Sequence, residues 1–218
     1  MNTAGRTRVK RVPSRGKYDK ESIHSILDAH FLCHIGFVHE GYPVVIPTLY
    51  GRDNDNLYIH GASTSRMLKS LQKGIEISLA VTLVDGIVLA RSAFHHSMNY
   101  RSVVLFGTAK LVTDPEEKLC ALKVVSDQVL KDRWEEVRIP NEKELKVTAV
   151  LSIPIDEASA KVRTGPPIDD TEDYGLDVWA GVIPLQFTMQ EPEPDPLLRE
   201  GIELSLSVQN FLKGTLKS

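Results

Sequence analysis

Residues 75–112, IEISLAVTLVDGIVLARSAFHHSMNYRSVVLFGTAKLV, decide how this chain folds. Their apolar positions fall in three runs, 75–84, 86–94 and 100–112, rich in the Val, Ile, Leu and Phe that suit strands. Asp85-Gly86 between the first two is a hairpin signal, because both residue types tolerate positive φ. The polar link His95 to Asn99 joins the second run to the third. Strands that follow one another without a helix between them pair antiparallel, since a parallel crossover needs a dozen or more residues.

Outward from that stretch the pattern repeats. FLCHIGFV (31–38) and YPVVIPTLY (42–50) flank Glu40-Gly41 and predict a hairpin. Pro43 and Pro47 lack the ladder N–H, so the second of these strands is expected at an edge, a bulge or a strand end. A polar turn at 52–56 leads into LYIHG (57–61). Helical periodicity predicts helices over 19–29, with Asp19 as N-cap and Ile23, Ile26 and Leu27 on one face, over 63–73, and from Asp114 to Lys131. Further strands are expected at 146–155 and 159–165. Residues 166–178 and 191–196 (EPEPDP) are loop-like, and 202–213 reads as a short terminal helix or strand. At least six strands with few helices between them favour a mainly β fold, an antiparallel barrel with flanking helices. The organisation expected is a basic flexible arm (1–18), a barrel domain (19–187) and an acidic, Pro-rich linker with a C-terminal segment (188–218).

The 218 residues suffice for one substantial core, and 42% hydrophobic with 25% charged residues is ordinary for a globular protein. A formal net charge of −3 gives no global case for nucleic acid. No apolar run approaches a bilayer span, so no membrane partner is expected. The first 18 residues carry Arg6, Arg8, Lys10, Arg11, Arg15 and Lys17 with no acid. Such a run is expected to be a solvated tail, the alternative being an arm that folds over an anionic ligand or a partner subunit. Cys33 and Cys120 have no metal or redox spacing and are expected as buried, inert thiols in a reducing, cytoplasmic setting.

Three constellations carry chemistry. His60-Gly61-Ala62-Ser63-Thr64-Ser65-Arg66 joins a strand end to a helix start, with hydroxyls and a guanidinium suited to phosphate; plain N-capping by Ser63 explains it equally well. His95 to Ser102 is dense in donors, among which Asn99, Arg101 and Ser102 suit a phosphate. The adjacent His95 and His96 point to opposite faces of an extended segment, which disfavours a metal. Trp179, before Ala180-Gly181, suits stacking on a flat ring or ordinary burial in the core.

SAFHHSMNYRSVVLFGTAKLVTDPEEK, preceded by VDGIVLAR and HGASTSRM, resembles the pyridoxamine 5′-phosphate oxidase-related flavoproteins, within them the branch of nitroimidazole-resistance reductases. ELKVTAVLSIPIDEASAKVRTGPP and DVWAGVIPL extend the resemblance, which spans about 8–187. It implies a six-stranded antiparallel FMN-binding split barrel and a homodimer with FMN at the subunit interface. By position, His60, Gly61, Ala62, Ser63, Thr64, Ser65 and Arg66 resemble one phosphate-side block, and Asn99, Tyr100, Arg101 and Ser102 a second. Pro47, Thr48, Leu49 and Tyr50 resemble the strand along the isoalloxazine; Trp179 and Arg163 are further candidates. His96 and Tyr100 are the candidate proton-exchanging groups. Family oxidases resemble one another in a basic C-terminal region that grips the substrate phosphate. Here that region reads PLQFTMQEPEPDPLLRE, so vitamin B6 oxidation is not expected. The expected function is an FMN-dependent oxidoreductase acting on a small molecule. The alternatives are a non-catalytic flavin-binding or storage protein and a split barrel binding haem or another flat ligand.

Overall fold

The computed structural model describes residues 5–215. In chain order, strand β1 (Gly16–Lys17) precedes helix α1 (Lys20–Asp28), which Asp19 caps by accepting from the Ser22 N–H at 2.8 Å. Strands β2 (Leu32–His39) and β3 (Tyr42–Leu49) form the expected hairpin, with positive φ at Glu40 and Gly41. β4 (Gly51–Asp53), β5 (Asn56–Ala62), α2 (Arg66–Leu71), β6 (Glu76–Leu89), β7 (Ser97–Thr108) and β8 (Lys110–Leu111) follow. Then come α3 (Pro115–Val129), α4 (Glu142–Val147), β9 (Thr148–Pro154), β10 (Glu157–Arg163), β11 (Gly181–Pro184) and α5 (Leu206–Thr215).

The strands make two antiparallel sheets. One runs β1-β10-β7-β6-β2-β3, with β11 on β6, and the other β4-β5-β9-β8. Alternation puts Ile35, Leu79, Val81 and Leu105 of the first sheet against Ile59, Leu151 and Ile153 of the second, and α1 closes this core with Ile23 and Leu27. Each such side chain, fully buried, contributes about 1.5–3 kcal/mol. On the far side of the smaller sheet, Ala121 and Leu122 of α3 pack on Val112 and Val150. β3 lies at the edge of its sheet, as its two prolines require.

Four expectations are corrected. Asp85-Gly86 is no hairpin turn: β6 runs through it as one strand with a bulge between Val84 and Gly86. β11 pairs alongside there, and a Cβ on Gly86 would lie 3.0 Å from Val182 Cγ1. The arm, from Gly5 on, is docked. Arg6 binds Glu76 and Glu157 and sits 4.8 Å over the Phe106 ring, Thr7 is buried, and Gly16 and Lys17 pair with Lys161 and Ala160 of β10. The helix expected from Ser63 begins at Arg66. Cys33 is buried, but Cys120 is exposed.

The large sheet has a second, outer face. Pro47, His34, Ala80, Val104 and Ser159 form one row straight across five strands. Val38, Val45 and Val84 share that face with Val104, and all four are exposed.

Candidate functional site

β5 carries His60 opposite Val150 of β9 and points it into a groove of about 570 Å³. Leu49, Leu122, Val125, Val129 and Trp134 wall the groove, with Arg133 at its margin. His60 Nδ1 is buried and has no hydrogen-bond partner. Burial lowers the imidazole's pKa, which favours the neutral ring. After β5 the chain turns with the Ser63 N–H donating to Val147 O and the Ser65 N–H to Ala62 O, both at 2.8 Å. Ser65 caps α2 without a side-chain bond, and Thr64 and Arg66 stand exposed. The approach of Gly61 to Leu68 is close, since an added Cβ would lie 3.2 Å from Leu68 Cδ1.

The second block is already engaged. Arg101 donates to both oxygens of Asp85, at 2.9 and 2.8 Å, and that bond raises its pKa. Its fork is therefore filled by a carboxylate that the hairpin reading had placed in a turn, and the expected phosphate contact of Arg101 does not follow from this geometry. Ser102 Oγ donates to Lys161 O at 3.3 Å. Asn99 is buried, donates to Gly165 O at 3.1 Å and accepts from Arg163. Tyr100 lies opposite Arg163 in the ladder.

Of the strand block, Pro47 and Leu49 lie on the outer face, and Thr48 faces inward beside Cys33. The Tyr50 side chain is a core residue, fully buried, with its hydroxyl on Leu27 O at 2.6 Å. Trp179 is not core: it is 66% exposed, its ring so close to Gly181 that an added Cβ would lie 2.9 Å from it. His96 Nδ1 accepts from the Ala90 N–H at 3.0 Å, which leaves its proton on Nε2. His95 Nε2 lies 3.3 Å from Asp170. Among the described residues no group of three or more His, Cys, Asp or Glu is placed to hold a metal.

The fold joins some candidates and separates others. Leu49 and His60 share one groove, and Asn99, Tyr100 and Arg163 form another cluster. β3 and β10 are four strand spacings apart, roughly 19 Å, so one protomer does not bring the clusters together. Sequence reasoning did not find Trp134 and Arg133. They follow the α3 stripe, which reads as core, and only the tertiary fold carries them to His60. A larger cavity, about 730 Å³, lies between Phe31, Leu83, Val129, Phe187 and the Arg101–Asp85 pair.

A family profile described as pyridoxamine 5′-phosphate oxidase matches residues 19–162. Among solved structures, the flavocytochrome Anf3 from Azotobacter vinelandii is 42% identical over 95% of this chain and 96% of its own, with a TM-score of 0.90. An FAD and haem binding protein from Mycobacterium smegmatis is 35% identical over 90% of this chain and 96% of its own, with a TM-score of 0.87. A candidate 5-nitroimidazole antibiotic resistance protein from Bacteroides thetaiotaomicron is 27% identical over 67% of this chain and 86% of its own, with a TM-score of 0.58. No curated protein matches the chain.

Proposed function

Because the chain belongs to the pyridoxamine 5′-phosphate oxidase family, we propose that it is a redox protein holding a flavin nucleotide at the outer face of its large sheet and a haem in the groove beside His60. The observation that carries this reading is the buried, unpartnered Nδ1 of His60 in an apolar-walled groove. A buried polar atom without a partner is costly, and a neutral imidazole is a haem ligand. Arg133, bonded to Glu136 and to Ser205 Oγ at 2.8 Å, is held in place at the lining of the groove. The flavin is FMN by the family resemblance, whereas the Mycobacterium relative is described as binding FAD. Both present the same ring and first phosphate. Flavin and haem together supply two-electron and one-electron chemistry at one protein. Ser63, Thr64, Ser65 and Arg66 then serve the phosphate, and Pro47 and Leu49 border the ring.

Completion of the flavin site requires a second copy. The donor clusters are far apart in one protomer, and a two-fold pairing of outer faces lays β7 and β10 of one chain over β3 of the other. The exposed Val38, Val45, Val84 and Val104 are covered by the same pairing. Trp179 is available to stack on the flavin from the second chain. Turnover of a small molecule is part of this reading, and the 730 Å³ cavity has the size of a small-molecule site.

The test is the absorption spectrum of full-length protein after reconstitution with flavin and haem, before and after a reductant. Flavin bands and a Soret band that His60→Ala weakens are expected. A protein that takes up neither chromophore would overturn the proposal.

A further inference from the structure

The cavity of about 730 Å³ opens where α1 and α3 end, bordered by Asp28 and Ala29 of the first and Gln128 and Val129 of the second. Phe31, Leu83, Leu185, Phe187 and Met189 make its walls apolar. Among the described residues three charged side chains line it, Asp28, Asp85 and Arg101, and each is already answered within the chain. Asp28 accepts from Arg52 on both oxygens, at 2.6 Å each, and Asp85 and Arg101 neutralise one another. The Gln128 amide is engaged as well: it donates to Leu27 O and His30 O and accepts from the Arg52 N–H. His30 is the exception. Its Nδ1 accepts from the Phe31 N–H at 3.0 Å, which leaves the ring proton on Nε2, and among the described residues no hydrogen bond uses that donor. Burial, then the neighbouring His34, lowers the imidazole's pKa and favours the neutral ring. Phe187 stands 80% exposed beside this hollow, an aromatic ring left in water. A charged ligand would leave water here with no counter-charge to meet it, whereas an uncharged ring system loses no such hydration.

We propose that this cavity binds an uncharged, apolar aromatic molecule carrying a carbonyl-type acceptor, with the acceptor on His30 Nε2 and the ring against Phe187. His30 sets the orientation through one hydrogen bond, and the apolar walls supply most of the affinity. The internally paired charges exclude anions and cations alike, since a charged ligand would have to break Arg52–Asp28 or Arg101–Asp85 to find a partner. Binding depends on neither chromophore. The proposal rests on the functional reading above only in making this occupant the small molecule that is turned over. Val129 lines both this cavity and the His60 groove, so the two hollows share a wall.

The test is calorimetry on the full chain, with and without flavin and haem, using acetylnaphthalene, naphthalene and naphthalenesulfonate as probes. The ketone is expected to bind most tightly, naphthalene about fivefold more weakly for want of the acceptor, and the sulfonate at least about tenfold more weakly. His30→Phe should bring the ketone down to the affinity of naphthalene, a change that a merely structural loss would not confine to one probe. Phe187→Ala, at an exposed position, should weaken both neutral probes several-fold and leave the melting temperature alone. Trp134→Ala, in the other hollow, should weaken neither. A sulfonate bound as tightly as the ketone would overturn the uncharged class. Failure of every probe to bind, or weakening by Trp134→Ala but by neither cavity variant, would overturn the site. A chain that takes up neither flavin nor haem sinks the functional reading, and the titration without chromophores still decides the cavity.

Discussion

The Tyr50 hydroxyl donates to Leu27 O at 2.6 Å deep in the core, and the same oxygen also accepts from Gln128 Nε2 at 3.0 Å. Tyr50→Phe therefore leaves no orphaned acceptor, and its expected cost is about 1 kcal/mol, read from the urea midpoint. A change near 3 kcal/mol would show that Gln128 cannot hold Leu27 O alone. The two cysteines separate chemically. Burial pushes the Cys33 thiol up to about 12, and Cys120 is exposed on α3. A thiol reagent at pH 8 is expected to modify one cysteine in the native chain and both after denaturation. Burial lowers the imidazole pKa of His60 and of His30, the latter also through His34. The unfolded chain then binds protons before the folded one, so stability is fully present above the ordinary value of about 6.5 and falls as pH drops below it. Glu136, held down by Ser207 and Ser205, and Glu144, by Arg138, both titrate near 2, so their contributions are lost only at lower pH. Unfolding free energies between pH 8 and 5 should decline, and His60→Asn should flatten part of that decline.

Gly51 on β4 lies directly under α3. A Cβ there would meet the Val124 carbonyl carbon at 2.6 Å and Val125 Cα at 2.7 Å, both backbone atoms that cannot turn aside. Gly51→Ala is expected to cost about 1–3 kcal/mol by pushing α3 outward. Because α3 walls the His60 groove, the same change should weaken haem uptake, whereas Gly41→Asn at the distant hairpin should leave it intact. Stability and Soret absorbance measured on both variants decide this. The elements themselves are largely legible in the sequence. Alternation marks β2, β3, β5, β7 and β9, and Asp114 announces α3, where it accepts from the N–H groups of Glu116 and Glu117. Asp85-Gly86 misleads because turn preference is local, while β6 is held straight by β7 on one side and by β11, about a hundred residues later, on the other. The candidate site is less legible for the same reason. His60 stands out in its own block, but Trp134 acquires its place only through the docking of α3. The arm reads as a tail because Glu76 and Glu157, which bind Arg6, are far away in sequence.

At the scale of the molecule the proposed pairing of outer faces predicts a mass of two chains by light scattering on the flavin-loaded protein. A monomer with full flavin occupancy would exclude a site shared between copies. The C-terminal segment gives a second expectation. Glu191, Glu193 and Asp195 lie in an exposed stretch without regular structure, and Arg199 is the only base between Ile183 and Gly201. A dianionic substrate finds no cationic grip there, so oxidation of pyridoxamine 5′-phosphate should not be measurable. Robust pyridoxal 5′-phosphate formation would contradict this, and its disappearance in a chain lacking residues 1–17 would trace the grip to the arm. The edge of the large sheet has a further consequence. β3 pairs with β2 without a break from Tyr42 to Leu49, past both Pro43 and Pro47, so the donors those prolines lack belong to the solvent side. A foreign strand arriving there meets a ladder with missing rungs, and growth by end-to-end sheet extension is blocked. Association is thereby channelled to the faces, where a two-fold contact uses itself up once made. In the proposed pairing, a face with exposed Val38, Val45, Val84 and Val104 would therefore close into a finite particle rather than seed a fibre.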